Sequence, residues 1–244
     1  MKISPHVEKL VFQKWEKDFG PAVYAKRKYI LRRTNEVAFH EAGHVVARMF
    51  TGHEASHVLT VSIIPNAHTL GRETSERNIS EGNFGNFPEP MRQGLGRNLL
   101  IGLLAGRAAA RRVAKADDRE DILDWLSDEW GTEGADLFRA DHISTLMVRK
   151  CMPQHRILYL AEKWAVEMFE IPQVWATTEK LADALLQAGE LAPSRIEALC
   201  SEIFRMSFKL PVWRNRLLGG TRSRKWLKEE EKKAWQLYES GGLG

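Results

Sequence analysis

Apolar residues recur at helical spacing over most of the chain, and the exceptions are short. Val7, Val11, Trp15 and Phe19 fall four apart, with Leu10 and Phe12 beside them and lysines elsewhere. This predicts an amphipathic helix over residues 5–19, which Gly20 and Pro21 end. Val37, Ala38, Val45, Val46, Met49 and Phe50 carry the same period through a second helix. Thr34 and Asn35 offer it starting side chains, and Thr51-Gly52 closes it. The basic run Lys26-Arg27-Lys28 and Arg32-Arg33 ahead of it reads as a solvated linker or helix face. A long helix is expected from Met91 to Val113, with Leu99, Leu100, Leu103, Leu104 and Ala108 on its buried stripe. Further helices follow over 136–150, 153–169, 177–188 and 194–207, and Ser194 and Glu197 have the spacing of a capping box at the start of the last.

Two short stretches break the helical period. His57 to Pro65 is rich in β-branched residues and reads as a strand ended by proline, and Leu70 to Thr74 reads as a second one. Residues 77–90 hold Gly82, Gly85, Pro88 and Pro90 and form a loop able to cover a cleft. The acidic segment Asp117 to Glu129 is expected to be a short surface helix ending at Gly131, and Trp226 to Tyr238 a charged amphipathic helix in an appended tail. The expected fold class is therefore mainly α with a small β-sheet.

At 244 residues and 43% hydrophobic the chain can bury a sizeable core, as one domain with extensions or as two closely packed lobes. No apolar run approaches the roughly 20 residues that span a bilayer, and Met1 to His6 lacks the apolar core of a signal peptide, so a cytoplasmic location is expected. Cys151 and Cys200 form neither a disulfide framework nor a CxxC site and are assigned no chemistry. Charge is uneven. Residues 1–33 carry +6 and residues 206–244 carry +5 against a total of +4, so the body between them is acidic. Basic ends interleaved with Trp15, Tyr24, Trp213 and Trp226 suit contact with nucleic acid, an anionic surface or an acidic partner protein. On that reading the chain would be a non-catalytic metal-binding or interaction module. The plainer account is solvated helix faces, and no nucleic-acid-binding motif accompanies them.

The chemistry gathers in His40-Glu41-Ala42-Gly43-His44. Histidines four apart on a helix lie one above the other and can grip one metal ion, while the glutamate between them reaches a water on it. This HExxH string is short enough to arise by accident, so its place in a credible helix is what gives it weight. Gly43 costs the helix about 1 kcal/mol relative to alanine, which predicts that something approaches the backbone closely there. A catalytic zinc site needs a third protein ligand. Ala47 and Phe50 stand where the metzincin pattern requires glycine and a third histidine, which excludes that class. Glu73, Glu76, His53, His57 and His68 remain open as ligands. In zinc peptidases an edge strand beside the metal helix holds substrate through main-chain hydrogen bonds, and the two expected strands are candidates for that role.

Over residues 34–205 the sequence resembles the peptidase domain of the FtsH-type ATP-dependent zinc metalloproteases. The resemblance is carried by Val37 to Val46, then His57 to Pro65 with Leu70-Gly71, and then Leu103-Leu104-Ala105-Gly106-Arg107-Ala108-Ala109. It continues in Gly134-Ala135-Asp136-Leu137 and in Ala184 to Leu191. It implies a zincin-like peptidase lobe followed by a helical lobe, flanked by a basic N-terminal helix and linker over 1–33 and a basic extension over 206–244. It also implies that Asp136 joins His40 and His44 as zinc ligand, although an aspartate ahead of a helical run otherwise reads as an N-cap. Glu41 would be the general base, Val61, Leu70 and Gly71 would line the substrate backbone, and Zn²⁺ would be the cofactor. That family adds transmembrane segments and an ATPase module. This sequence holds no GxxxxGK[ST] loop and only 39 residues before His40. The expectation is hydrolysis of unfolded or flexible polypeptides without its own motor, with a separate ATPase and a homo-oligomer as conceivable partners.

Overall fold

A computed structural model describes residues 2–51, 58–65, 71–75, 89–114, 132–148 and 153–209. The chain is mainly helical with a small antiparallel sheet. Of the loop expected over 77–90, residues 77–88 lie outside the described residues and Glu89-Pro90 instead open a helix, as proline is accepted in a first turn; the acidic segment 117–129, Cys151 and the tail helix 226–238 also lie outside them.

Helix α1, Pro5–Phe19, starts with proline in its first turn and with the Ser4 hydroxyl accepting from the Val7 N–H at 3.2 Å. Ser4 also donates from its N–H to the Leu186 carbonyl (3.0 Å) and from its hydroxyl to that of Gln187 (2.9 Å). The start of α1 is thereby tied to carbonyls that helix termini leave open. Val7, Val11 and Phe12 are buried in the common core.

A 3₁₀ turn over Pro21–Lys26 leads directly into α2, Arg27–Phe50. This helix begins a full two turns before Thr34, where a start is expected from sequence. The reason is local. The Thr34 hydroxyl donates back to the Ile30 carbonyl within the helix (2.8 Å) instead of capping it. Arg27 is fixed by the Glu8 carboxylate, and Arg33 is buried beside Glu36 at 3.5 Å, so the basic run is helix and not a solvated linker. The division expected at 33/34 falls inside α2. Every residue from Glu36 to Ala47 is buried, which makes α2 the central helix of the molecule.

Around α2 pack α3 (Glu89–Val113), α6 (Pro172–Ala188) and α7 (Pro193–Lys209), and α4 (Thr132–Met147) and α5 (Gln154–Phe169) pack on α3. Several helices start earlier than periodicity predicts because proline is accepted in a first turn, as at Pro90 and Pro172. In α7 the Ala192 carbonyl accepts from Arg195 and Ile196, so Ser194 lies within the helix and the expected capping box is not its start. The boundary expected at 205/206 lies within α7.

The sheet has three strands in the order β2-β1-β3: β1 Val58–Ser62, β2 Arg72–Ser75 and β3 Glu190–Leu191. Val61 pairs with Glu73 on one side and Leu191 on the other. β1 is therefore the central strand, and the outer edges belong to β2 and β3. β3 is too short for a period of two to announce it.

The closest approach in this packing is between α2 and α3. A Cβ added at Gly43 would lie 2.7 Å from the Ala105 carbonyl oxygen and 2.8 Å from Ala109 Cβ. The close approach predicted at Gly43 is thus α3 itself. In an open helix Gly→Ala stabilises by about 1 kcal/mol. Here Gly43→Ala is expected to destabilise by about 1–3 kcal/mol, because overpacking against backbone outweighs that gain; thermal unfolding of the variant beside wild type checks the sign.

Candidate metal centre

Helical spacing stacks His40 and His44 on one face of α2, and α4 brings Asp136 against them. Asp136 is the fifth residue of α4 and not its N-cap, so its carboxylate is released from capping duty. The His40 and His44 Nε2 atoms are 2.9 Å apart, and Asp136 Oδ2 is 3.2 Å from the first and 3.0 Å from the second. Four-coordinate zinc with bonds of about 2.0–2.1 Å spaces its ligand atoms about 3.3 Å apart. The triangle of donors matches one face of that tetrahedron, and among the described residues these three form the group able to hold a metal ion.

The tautomer of His44 is set by α3. Its Nδ1–H donates to the Gly102 carbonyl at 2.7 Å, which turns Nε2 toward His40 and Asp136. The rings stand nearly perpendicular, at 85°, as two nitrogens converging on one point require. One turn along α3, Gly106 makes room for them. A Cβ there would overlap His44 Nε2 and lie 2.7 Å from His44 Cε1 and 2.9 Å from His40 Cε1.

Burial pulls both imidazoles toward their neutral forms. His40 follows that pull, reinforced by the charge on His44, and is held below the ordinary histidine value. His44 does not, because the Asp136 carboxylate, its hydrogen bond to the ring and the charge of Glu41 outweigh desolvation and lift it to about 9. Burial favours the neutral acid at Asp136, yet the two histidines hold its carboxyl well below the usual carboxylate range. One proton is thus kept among three donors. A divalent ion with two neutral imidazoles and one carboxylate takes over that role with the same sign of charge.

Glu41 is buried on α2 between the two ligands. On its side the chain enters β2 through Gly71, where an added Cβ would lie 2.6 Å from Glu41 Oε1, 2.9 Å from Glu41 Cγ and 2.7 Å from Val37 Cγ1. Gly71 therefore meets the expected general base, whereas sequence assigns it to the substrate. Val61 is fully buried and has a strand partner on both sides, so it lies on no edge of the sheet. Leu70 lies outside the described residues, as do His53, His57, His68 and Glu76; Glu73 is engaged in β2 opposite Val61. Sequence reasoning misses the Gly102 carbonyl and Gly106. Their only signal is two glycines four apart in an apolar helix. No protein-family model and no curated protein matches the chain.

These protonation states predict a titration. At pH 7.5 His44 carries its proton, being lifted to about 9, while His40, held below the ordinary histidine value, and Asp136, held below the carboxylate range, do not. Zinc binding at pH 7.5 is expected to release about one proton per ion from these donors, and that release falls away as pH rises through about 9. Calorimetry in buffers of different ionisation enthalpy measures the number, and a release near zero at pH 7.5 contradicts the assignment.

Proposed function

We propose that this protein is a zinc metallopeptidase, similar in its site to the peptidase domain of the FtsH-type proteases and acting on unfolded or flexible polypeptides. The observation that carries the reading is a single buried helix that bears two converging imidazoles with a carboxylic side chain between them, completed by a carboxylate from a second helix. A zinc ion in this donor set would supply a Lewis acid for the scissile carbonyl and lower the pKa of a water toward about 7.

The remaining work falls to the chain. His40 and His44 serve as neutral ligands, and the Gly102 carbonyl holds His44 in the tautomer that leaves Nε2 available. Asp136 stays ionised and offsets the charge of the ion. Glu41 takes the proton from the attacking water and delivers it to the departing amine, so that one C–O bond forms as the C–N bond breaks. Among the described residues the outer edge of β2, next to Glu41 through Gly71, has no strand partner, and its main-chain groups would face an extended substrate backbone. A zincin-like arrangement of this kind acts on chains that reach it already extended, whether alone or handed over by a separate ATPase. Among the described residues no helix is long and apolar enough to cross a membrane.

Zinc content and cleavage of casein, measured on wild type, Glu41→Gln and Asp136→Ala, test the proposal. Wild type is expected to hold about one zinc and cleave. Glu41→Gln should keep the metal and lose at least about 10²-fold in rate, and Asp136→Ala should lose both. A zinc-loaded wild type that leaves casein intact overturns it.

A further inference from the structure

The two sides of the metal helix are each met by a glycine, and the two glycines face different parts of the chemistry. Gly106 of α3 faces the imidazoles of His40 and His44, and Gly71 at the start of β2 faces the side chain of Glu41. Both are buried or packed within the core of the site, and neither substitution is relieved by the swing of a long side chain into solvent. His44 is pinned through Nδ1 to Gly102, so its ring yields to a methyl at position 106 only by leaving the donor triangle. At position 71 the nearest atoms belong to the carboxylate and Cγ of Glu41 and to the branched Val37, and carbon contacts need about 3.5 Å. The crowding is not general along α3: a Cβ at Gly102 meets nothing nearer than Arg48 Cγ at 3.8 Å, an ordinary contact.

We infer that Gly106 and Gly71 are two separate positioning residues, the first setting the metal ligands and the second setting the general base. The inference rests on the metallopeptidase reading for its catalytic half, while its steric half concerns the protein with or without metal. A glycine kept merely for backbone or helix packing predicts a loss of stability and nothing selective. The two clearances predict opposite selectivities.

The test compares wild type with Gly106→Ala and Gly71→Ala. Zinc affinity is measured against a competing chelator, the Co²⁺ absorption spectrum reports ligand geometry, and thermal unfolding is followed on metal-free protein. Gly106→Ala should bind zinc about 10–100-fold more weakly, the loss typical of disturbed ligand orientation, with an altered cobalt spectrum. Gly71→Ala should bind zinc as wild type does and cleave casein at least tenfold more slowly in kcat, with little change in KM. Wild-type zinc affinity in Gly106→Ala, or loss of zinc in Gly71→Ala, overturns the inference.

Folding failure does not shelter it. If Gly106→Ala lowers the melting temperature, the loss should shrink when it is introduced into His44→Ala, because the nearer colliding ring is gone and only His40 Cε1 at 2.9 Å remains. An undiminished loss in that background makes Gly106 an ordinary packing glycine. If Gly71→Ala does not fold, Val37→Ala is added to empty the neighbouring space and the same measurements are taken. A wild type that binds no zinc sinks the metallopeptidase reading, and the His44→Ala cycle then still decides the clearance at Gly106.

Discussion

Helix axes normally stand 8–10 Å apart, at a distance set by the side chains between them. At the crossing of α2 and α3 those side chains are missing or minimal: Gly43 on one helix, Ala105, Gly106 and Ala109 on the other. The rest of the site follows from that approach. Only a backbone this close can present the Gly102 carbonyl to His44 Nδ1 and leave the rings of His40 and His44 room beside Gly106. The cost of glycine in a helix interior is offset because the approach lets apolar surface on both helices, such as Val46 and Leu104, leave water together.

The same crowding raises the electrostatic stakes. Three donors with converging lone pairs are unfavourable in a dry interior unless a positive charge sits among them. In the metal-free protein that charge is the proton on His44, which Asp136 and Glu41 hold up to about 9. A divalent ion held by His40, His44 and Asp136 would displace that proton and meet the same demand with more charge. Ion binding and proton loss would therefore be the same event viewed from two sides, on a helix buried without a break from Glu36 to Ala47.

Much of this was legible in the chain, and the failures have physical causes. The metal helix, the near-continuous helices after residue 136 and the close approach at Gly43 could be read because apolar period and glycine cost are local quantities. Helix starts could not, since Thr34 bonds backward within α2 and Pro172 and Pro193 serve as first residues. The strand order depends on two residues, Glu190 and Leu191, that return from far along the chain to cover the other edge of β1. Asp136 shows the limit best. Its local sequence suits a cap, and only the packing of α4 on α3 turns its carboxylate toward two histidines more than ninety residues away.

Placing both ligand histidines and the acid–base candidate on one buried helix also constrains how such a site can move. Groups on a packed helix keep their mutual geometry within a fraction of an ångström, whereas groups on loops do not. Any opening of the cleft must then come from its other walls, and these differ in how they are held. α4 packs on α3 and α5 and leaves Asp136 partly exposed at the rim, while β2 is joined to the body through β1 and through Gly71 against Val37 and Glu41. Among the described residues β2 has the fewer ties of the two and a single strand partner. On the metallopeptidase reading, admission of a polypeptide would fall to the sheet side while the donors on α2 stay preorganised.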